Sequence, residues 1–366
     1  MNKNNPVVSS YNEWDPLKEV IVGSVLGAAK AAYEPALSAY FPLNSPHRPF
    51  KGEPYSENEI YKAELQLDNL AKILGTLGIT VQRPDQIDYT QTAKTPDFQI
   101  SYGNCNACPR DVFLIVGNEI IEVPMAQRAR FFEYRAYRSL IKDYFRSGAR
   151  WTSAPKPMLS DELYIADYSI EEKAFNPDTH PSLTELEPCF DAASFVRFGR
   201  DIFFQLDLVT NSFGAQWLQR HLGPEYRLHQ VQPKDNCPQH IDATLVPLRS
   251  GLVLLNPDRP FIDNTLELFK NNKWEIVYAP HPVGNKAYHS PEVSKWISMN
   301  LFSIGSGRVI VEEQEEPLIR LLESLGLEVI PCPFREVYKF GGGFHCCTLD
   351  IRREGKLESY FPSLDK

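Results

Sequence analysis

Val112-Phe-Leu-Ile-Val-Gly-Asn-Glu-Ile-Ile-Glu-Val123 is the most informative segment of the sequence, because it sets two apolar runs on either side of a short turn. The pair Gly117-Asn118 favours a tight turn, so the segment predicts a β-hairpin. The same pattern recurs three times along the chain. These further hairpins are predicted at Phe195 to Gln205, Thr244 to Leu255 and Met299 to Val311.

An amphipathic segment of helical period follows each predicted hairpin. These segments are Ala126 to Phe145, Asn211 to Leu222, Phe261 to Lys270 and Glu315 to Leu325. Strand-like runs follow three of them, at Tyr226 to Val231, Trp274 to Tyr278 and Leu327 to Ile330. The two ends of the chain supply one more unit, with strands at Glu19 to Val22, Ile79 to Gln82 and Cys347 to Ile351 and a helix at Glu57 to Leu77.

The count of these segments predicts an α/β protein of five ββαβ units, one of them shared by the two chain ends. Repetition about an axis leaves few exposed sheet edges, so we expect a single five-bladed α/β propeller domain with pseudo-fivefold symmetry over residues 1–366. Length alone favours about two domains. Arg150 to Pro188 is rich in proline and polar residues and is predicted to be a surface insertion, near 150–188.

Composition narrows the possible partners. The hydrophobic fraction of 43% is enough for a large core, and 47 acidic against 38 basic residues give a net charge of −9. We therefore expect no nucleic-acid and no membrane partner, and a soluble, cytoplasmic protein. The seven cysteines do not suit a secreted disulfide framework. Cys105 and Cys108 have the spacing of half a zinc site, but no second pair follows, so we expect two buried structural thiols and no metal.

Reactive side chains stand where the predicted hairpins begin. Asp111 precedes the first, Asp191 the second, His240 and Asp242 the third, and Cys346 the last strand. Equivalent positions of a pseudo-symmetric ring face the same end, so these residues can converge. A thiol, an imidazole and a carboxylate are the groups that nucleophilic catalysis needs. Spacing alone leaves the ordinary alternative open, in which the aspartates cap turns and the histidine and cysteine are buried structural residues.

Several ordered blocks of the sequence resemble the amidinotransferases of the pentein, or guanidino-group-modifying, superfamily. They are Asn12-Glu-Trp-Asp15, Pro109-Arg-Asp-Val112, Cys189-Phe-Asp-Ala-Ala193, Gly199-Arg-Asp-Ile-Phe203, Gln239-His-Ile-Asp-Ala-Thr244, Asn256-Pro-Asp-Arg-Pro260 and Phe340-Gly-Gly-Gly-Phe-His-Cys346. The resemblance covers nearly the whole chain. The fold that it implies is the five-unit propeller sketched above.

The resemblance implies a catalytic role for three residues. Cys346 would be the nucleophile, His240 the general acid and base, and Asp191 the carboxylate that assists the histidine. The motif sets the nucleophile directly after Phe-His, which favours Cys346 over Cys347. In a strand, alternation would also point these two thiols to opposite faces.

The resemblance also implies the donor substrate. Asp111 and Asp242 match positions that hold a guanidinium, and Arg259 and Ser294 match positions that bind the amino-acid end. The implied donor is therefore L-arginine, with ornithine as the first product, ping-pong kinetics and no cofactor. Family members also suggest a homodimer.

Two other functions use the same fold. In a deiminase-type hydrolase, water instead of an amine would resolve the covalent intermediate, with the same nucleophile and base. A non-enzymatic binding protein would need none of these residues, and the joint presence of Cys346, His240 and Asp191 argues against it.

The acceptor is predicted from departures from the glycine-using pattern. Cys237 stands where glycine amidinotransferases carry Asn, Gln239 where they carry Met, and Val293 where they carry Ser. Cys237 and Gln239 flank His240, so we expect them to line the acceptor route. A primary amine larger than glycine, with lysine as the leading candidate in a toxin or natural-product pathway, is the favoured acceptor. Glycine, with these differences neutral, is the alternative.

Overall fold

The computed structural model describes residues 6–40, 51–166, 168, 173–284, 293–305 and 307–365. Five three-stranded sheets of one topology lie in this part of the chain. In each, two strands pair antiparallel and a third strand pairs parallel with the middle one. The predicted ββαβ units are therefore present, and the predicted mixed α/β class is confirmed.

We name the sheets A to E in chain order. In the order edge, middle, edge, the strands are Thr348–Arg353, Leu17–Val22 and Thr80–Gln82 in sheet A; Phe113–Val116, Glu119–Glu122 and Arg150–Ser153 in sheet B; Phe195–Phe198, Asp201–Phe204 and Arg227–Gln230 in sheet C; Leu245–Arg249, Leu252–Leu255 and Glu275–Tyr278 in sheet D; and Phe302–Gly305, Arg308–Glu312 and Glu328–Cys332 in sheet E.

A helix leads to the parallel edge strand of each sheet. These helices are Glu57–Thr76, Arg138–Arg146, Ser212–Leu222, Thr265–Asn271 and Glu316–Ser324, for sheets A to E in turn. The one in sheet A shows why they form. Ser56 and Glu59 make a reciprocal capping box at its start, and Leu67, Leu70 and Leu74 are buried on one face. No helix among the described residues is long and apolar enough to cross a membrane.

The helix predicted at residues 126–145 is interrupted. Short 3₁₀ segments cover Arg128–Arg130 and Glu133–Tyr137, and the α-helix is confined to Arg138–Arg146. The buried Glu34 carboxylate accepts hydrogen bonds from the backbone N–H groups of Arg128 and Ala129. The carboxylate thus satisfies two backbone donors at the start of this segment, as a capping side chain does.

The predicted insertion at 150–188 begins too early. Arg150–Ser153 is the closing strand of sheet B, although only one of its four residues is strongly apolar. In the rest of the region, Leu159, Leu163 and Tyr164 are buried in a hydrophobic cluster with Leu37 and Cys189. Residues 167 and 169–172 of the region lie outside the described residues.

Residues 9–16 run across the turns of three hairpins. Ser10 and Gly117 exchange backbone hydrogen bonds in the turn of sheet B, and Gly199 in the turn of sheet C donates to the Tyr11 carbonyl at 3.0 Å. In the turn of sheet E, a Cβ on Gly305 would lie 2.3 Å from Pro16 Cα, so only glycine fits there. These three turns thus meet one segment of the chain.

Charged residues are buried beneath that segment. Arg197 donates to both oxygens of Glu13, at 2.7 and 2.8 Å, and contacts Asp350 at 2.8 Å. Arg110 and Arg353 also pair with Asp350, at 2.5 and 2.7 Å. This buried ion network joins sheets A, B and C to the segment at 9–16.

Candidate active site

The turns that precede the hairpins bring the predicted reactive residues together. A ring nitrogen of His240, Sγ of Cys346 and a carboxylate oxygen of Asp111 all lie within 4.8 Å of one another, and all three residues are buried. Asp191 and Asp242 stand next to this group. Residues from the starts of sheets A, B, C and D therefore form one site.

His240 is held from its backbone and from its ring. Its φ of +57° is unusual for a residue with a side chain. The backbone N–H donates to Asp207 Oδ2 at 3.1 Å, and the carbonyl accepts from Gln205 Nε2 at 2.9 Å. On the ring, Nε2 lies 3.0 Å from Asp191 Oδ2 and Nδ1 lies 3.7 Å from Asp111 Oδ1.

These carboxylates keep His240 charged. Burial opposes the imidazolium, but the negative charge of Asp111 and the hydrogen bond with Asp191 outweigh it and raise the pKa of His240 to about 10. The imidazole is thus protonated at neutral pH and can serve as an acid.

Arg130 fixes the two carboxylates that flank the histidine. Its guanidinium is bound in a fork by Glu133, at 2.9 Å twice, and Nη1 lies 2.9 Å from Asp111 Oδ2 and 3.5 Å from Asp191 Oδ2. The Oδ1 atoms of Asp111 and Asp191 are buried and have no hydrogen-bond partner. Buried carboxylate oxygens without partners suit a cationic ligand that brings several N–H groups.

Cys346 is held between an amide and a carboxylate. Asn300 accepts from the Cys346 backbone N–H at 3.0 Å and donates its side-chain N–H to Sγ at 3.1 Å. The thiol donates to Asp242 Oδ2 at 3.1 Å. Burial, and then the charges of Asp242 and Asp111, raise the pKa of the Cys346 thiol well above its usual value. A cation beside Sγ is therefore needed to favour the thiolate.

His345 contacts the same Asp242 oxygen that accepts from the thiol. Its Nδ1 lies 3.0 Å from Asp242 Oδ2, and its Nε2 lies 3.4 Å from Glu13 Oε2 in the buried ion network. Burial raises the pKa of Asp242, but the hydrogen bond and charge of His345 outweigh it, so the pKa is lowered. Asp242 is thus an anion in the site.

The glycines ahead of Cys346 allow close packing. A Cβ on Gly342 would lie 2.4 Å from Cys108 Sγ, and one on Gly343 would lie 2.7 Å from Asn300 Cβ. Cys346 and Cys347 precede the strand Thr348–Arg353 and lie in a turn, so strand alternation does not separate the two thiols as predicted.

Arg259 and Ser294, the residues predicted to bind the amino-acid end of the donor, contact each other. Arg259 donates to Ser294 Oγ at 3.2 Å and to Thr244 Oγ1 at 3.1 Å, while its Nε lies 2.8 Å from Asp235 Oδ2. The guanidinium is thus positioned beside two hydroxyl groups.

The two predicted acceptor residues lie just ahead of His240. Gln239 is half-buried. Cys237 packs against the cluster that contains Tyr40 and Tyr168, and burial raises the pKa of its thiol to about 12. Cys105 and Cys108 are buried in another hydrophobic cluster, together with Val22 and Phe344.

The sequence analysis did not identify Arg130, Asp207, Asn300 or the role of His345 as part of the site. Asn300 had a usable signal, since it precedes the hairpin of sheet E as the other site residues precede theirs. His345 lies inside a quoted block. Arg130 and Asp207 gave no comparable signal, because each reaches the site through the tertiary fold alone.

The fold and this site define a class of α/β protein in which a buried cysteine, a histidine and carboxylates meet at the starts of repeated hairpins. A structure of dimethylarginine dimethylaminohydrolase shares the fold, with a TM-score of 0.56 and 13% identity over 91% of this chain and 99% of that one. No family model matches the chain.

The chain belongs to the amidinotransferase family and is an amidinotransferase enzyme. It is 46% identical to mitochondrial glycine amidinotransferase of Gallus gallus, over 97% of this chain and 85% of the relative. It is 44% identical to L-arginine:L-lysine amidinotransferase of Pseudomonas savastanoi pv. phaseolicola, over 96% of both chains. The solved structure of SxtG, an amidinotransferase of the saxitoxin pathway from Microseira wollei, matches with a TM-score of 0.86 and 46% identity, over 97% of this chain and 99% of that one.

Proposed function

We propose that the enzyme transfers the amidino group of L-arginine to a primary amine through an intermediate on Cys346. The observation that carries this proposal is the cluster of Cys346 Sγ, His240 and Asp111 within 4.8 Å, beside the unpartnered Oδ1 atoms of Asp111 and Asp191. These oxygens are suited to a planar guanidinium, which offers N–H groups in pairs. The names of the relatives support arginine as the donor.

In the first half-reaction, the guanidinium brings a positive charge beside the thiol, which therefore releases its proton to solvent and becomes the thiolate. Sγ then forms a bond to the guanidinium carbon. The bond from that carbon to the side-chain nitrogen breaks, and protonated His240 gives this nitrogen its proton. L-Ornithine leaves as a neutral δ-amine, and a cationic amidino group stays on Sγ.

The second half-reaction reverses these steps with another amine. The acceptor nitrogen attacks the amidino carbon, the neutral imidazole of His240 takes its proton, and the thiolate leaves. Asp191 keeps the ring oriented through its contact with Nε2 at 3.0 Å. Because ornithine must leave before the acceptor enters, we expect ping-pong kinetics.

L-Lysine is the acceptor that we favour. Arg259 and Ser294 would hold the amino-acid end of arginine, and lysine presents the same end with a side-chain amine of similar reach. Cys237 and Gln239, on the loop next to His240, would line the route of entry. Glycine is the second candidate, since a glycine amidinotransferase is among the relatives.

We further propose that the five sheets close into a ring, which makes residues 1–366 a single five-bladed catalytic domain. The passage of residues 9–16 across three hairpin turns supports this arrangement. A homodimer and a cytoplasmic location stay predictions.

The deciding experiment incubates the purified enzyme with L-arginine alone. We expect about one equivalent of ornithine per chain and an amidino group on the Cys346 peptide, detected by mass spectrometry. Continuous formation of citrulline would instead show a deiminase-type hydrolase. A comparison of kcat/KM for lysine and glycine then identifies the acceptor, and a clear preference for glycine would overturn the lysine proposal.

A further inference from the structure

His345 has a carboxylate oxygen at each of its ring nitrogens. Asp242 Oδ2 lies 3.0 Å from Nδ1, and Glu13 Oε2 lies 3.4 Å from Nε2. An ionised carboxylate can only accept a hydrogen bond, so both contacts are hydrogen bonds only when both nitrogens carry a proton. This geometry is that of an imidazolium between two anions.

Glu13 is already paired with arginines, so Asp242 is the carboxylate on which a charge at His345 acts most. Glu13 is already bound by Arg197, at 2.7 and 2.8 Å, and by Arg110 at 3.3 Å. Asp350 pairs with the same two arginines and with Arg353. Two carboxylates therefore face three guanidinium groups, and Glu13 does not need a further cation.

Asp242, by contrast, has His345 as its cationic contact and Cys346 as its other side-chain partner. The same oxygen, Oδ2, accepts from His345 Nδ1 and from the Cys346 thiol at 3.1 Å. A bare carboxylate there would repel a thiolate. A positive charge at the same carboxylate oxygen reduces this repulsion.

We propose that His345 is a positioning residue and a second buried imidazolium of the site, which bridges Glu13 and Asp242 and offsets the carboxylate that faces Cys346. The charged and titratable groups that face it are Asp242, Glu13 and Cys346, and Arg110 donates from Nε to its backbone carbonyl at 2.9 Å. This inference rests on the proposed role of Cys346 as the nucleophile. In this proposal, His345 acts on the reaction only through Asp242.

The test measures the rate at which iodoacetamide alkylates Cys346 in the full chain as a function of pH, without arginine, by peptide mass mapping. His345→Asn keeps a neutral N–H donor near Asp242 and removes the charge. We expect the pH midpoint of alkylation to rise by about one unit, which is about a tenfold slower reaction at pH below the midpoint. A profile that matches the unmodified protein would overturn the proposal.

His229→Asn is the matched control. His229 Nε2 lies 2.7 Å from Asp201 Oδ1, so this variant also removes a histidine that pairs with a carboxylate, but outside the site. It should leave the alkylation profile unchanged, and an equal shift in both variants would show a general effect and contradict the inference. Alkylation needs neither arginine nor an amine, so the result is independent of whether ornithine is formed.

A second measurement observes the protons on the His345 ring directly in the unmodified protein. In the unmodified protein with ¹⁵N-labelled histidine, the His345 ring should show two protonated nitrogens at pH 8. Its signals are assigned by their loss in His345→Asn or His345→Gln, whichever folds. A neutral His345 ring at that pH would refute the proposal.

Discussion

The thiols of Cys346 and Cys347 are neighbours in sequence but have different surroundings. Cys346 Sγ contacts Asn300 and Asp242, whereas the Cys347 thiol has a side-chain hydrogen bond with Cys108. We expect Cys346→Ser to lose the amidino adduct and all turnover, and Cys347→Ser to keep most of both. Mass mapping after a pulse of arginine checks this, and an adduct on Cys347 would reassign the nucleophile.

Asp191 contacts the imidazole ring of His240, so its substitution should act on the reaction through that histidine. Asp191→Asn removes the negative charge at 3.0 Å from His240 Nε2, so we expect a fall in kcat of roughly 10²- to 10⁴-fold. Cys105→Ser and Cys108→Ser alter buried thiols of the core and should keep most of the activity. Zinc lost together with activity in either cysteine variant would contradict this assignment.

The pH dependence follows from the charge on His240. Its pKa of about 10 means that the acid is present at neutral pH and is lost as the pH rises through about 10. We therefore expect the single-turnover rate of ornithine release to fall on the alkaline side near that pH. In Asp191→Asn, the supporting charge is gone, so the fall should begin at lower pH. An alkaline limb that does not move would show that another group titrates.

A site residue could be predicted from the sequence when it stands just before a predicted hairpin or strand. Asp111, Asp191 and His240 each stand just before a hairpin and Cys346 stands just before the last strand, and that recurrence predicted their convergence. Asn300 obeys the same rule and could have been found. Arg130 could not, because its contacts with Asp111 and Asp191 arise only when the interrupted helix folds back over the site.

Among the elements, the glycine turn before the last strand packs directly against Asn300, which holds Cys346. A Cβ on Gly343 would lie within 3 Å of three Asn300 atoms, so Gly343→Ala must displace the side chain that holds Cys346. We expect a large loss of kcat, together with a lower free energy of unfolding. Activity assays and urea unfolding measure the two effects.

Gly75→Ala is the control for that substitution. Gly75 lies near the end of the helix Glu57–Thr76, and a Cβ there meets nothing within 4 Å. Alanine should raise the free energy of unfolding, by up to about 1 kcal/mol, and leave kcat unchanged. Equal losses of activity in both variants would show that the effect at Gly343 is not local.

The hairpins were predictable because both of their strands are buried and apolar and a glycine marks the turn between them. The strand Arg150–Ser153 was missed for the opposite reason, since three of its four residues are polar and no apolar run marks it. The helical prediction for residues 126–145 was too long at its start, where two 3₁₀ segments stand in place of an α-helix. The Glu34 carboxylate, almost a hundred positions earlier, binds the backbone of Arg128 and Ala129 there, and no local pattern contains that contact.

At the scale of the whole molecule, the buried ion network joins distant parts of the chain. Removing one partner leaves an uncompensated buried charge, so Arg197→Met should lower the free energy of unfolding by about 3–5 kcal/mol. Arg146→Ala breaks an exposed pair with Asp143 and should cost about 1 kcal/mol or less. Denaturant titration compares the two, and similar small losses would show that the network is not needed for stability.

The pairing of Leu17–Val22 with Thr348–Arg353 also has a consequence for the order of events during synthesis. The carboxylates at 111, 191 and 242 leave the ribosome well before the thiol at 346. A nascent chain therefore carries the proposed guanidinium-binding carboxylates long before it carries the proposed nucleophile. The strand that follows the thiol pairs with one from the start of the chain, and such distant contacts form slowly. The carboxylates and the histidine are thus already synthesised when the thiol joins them.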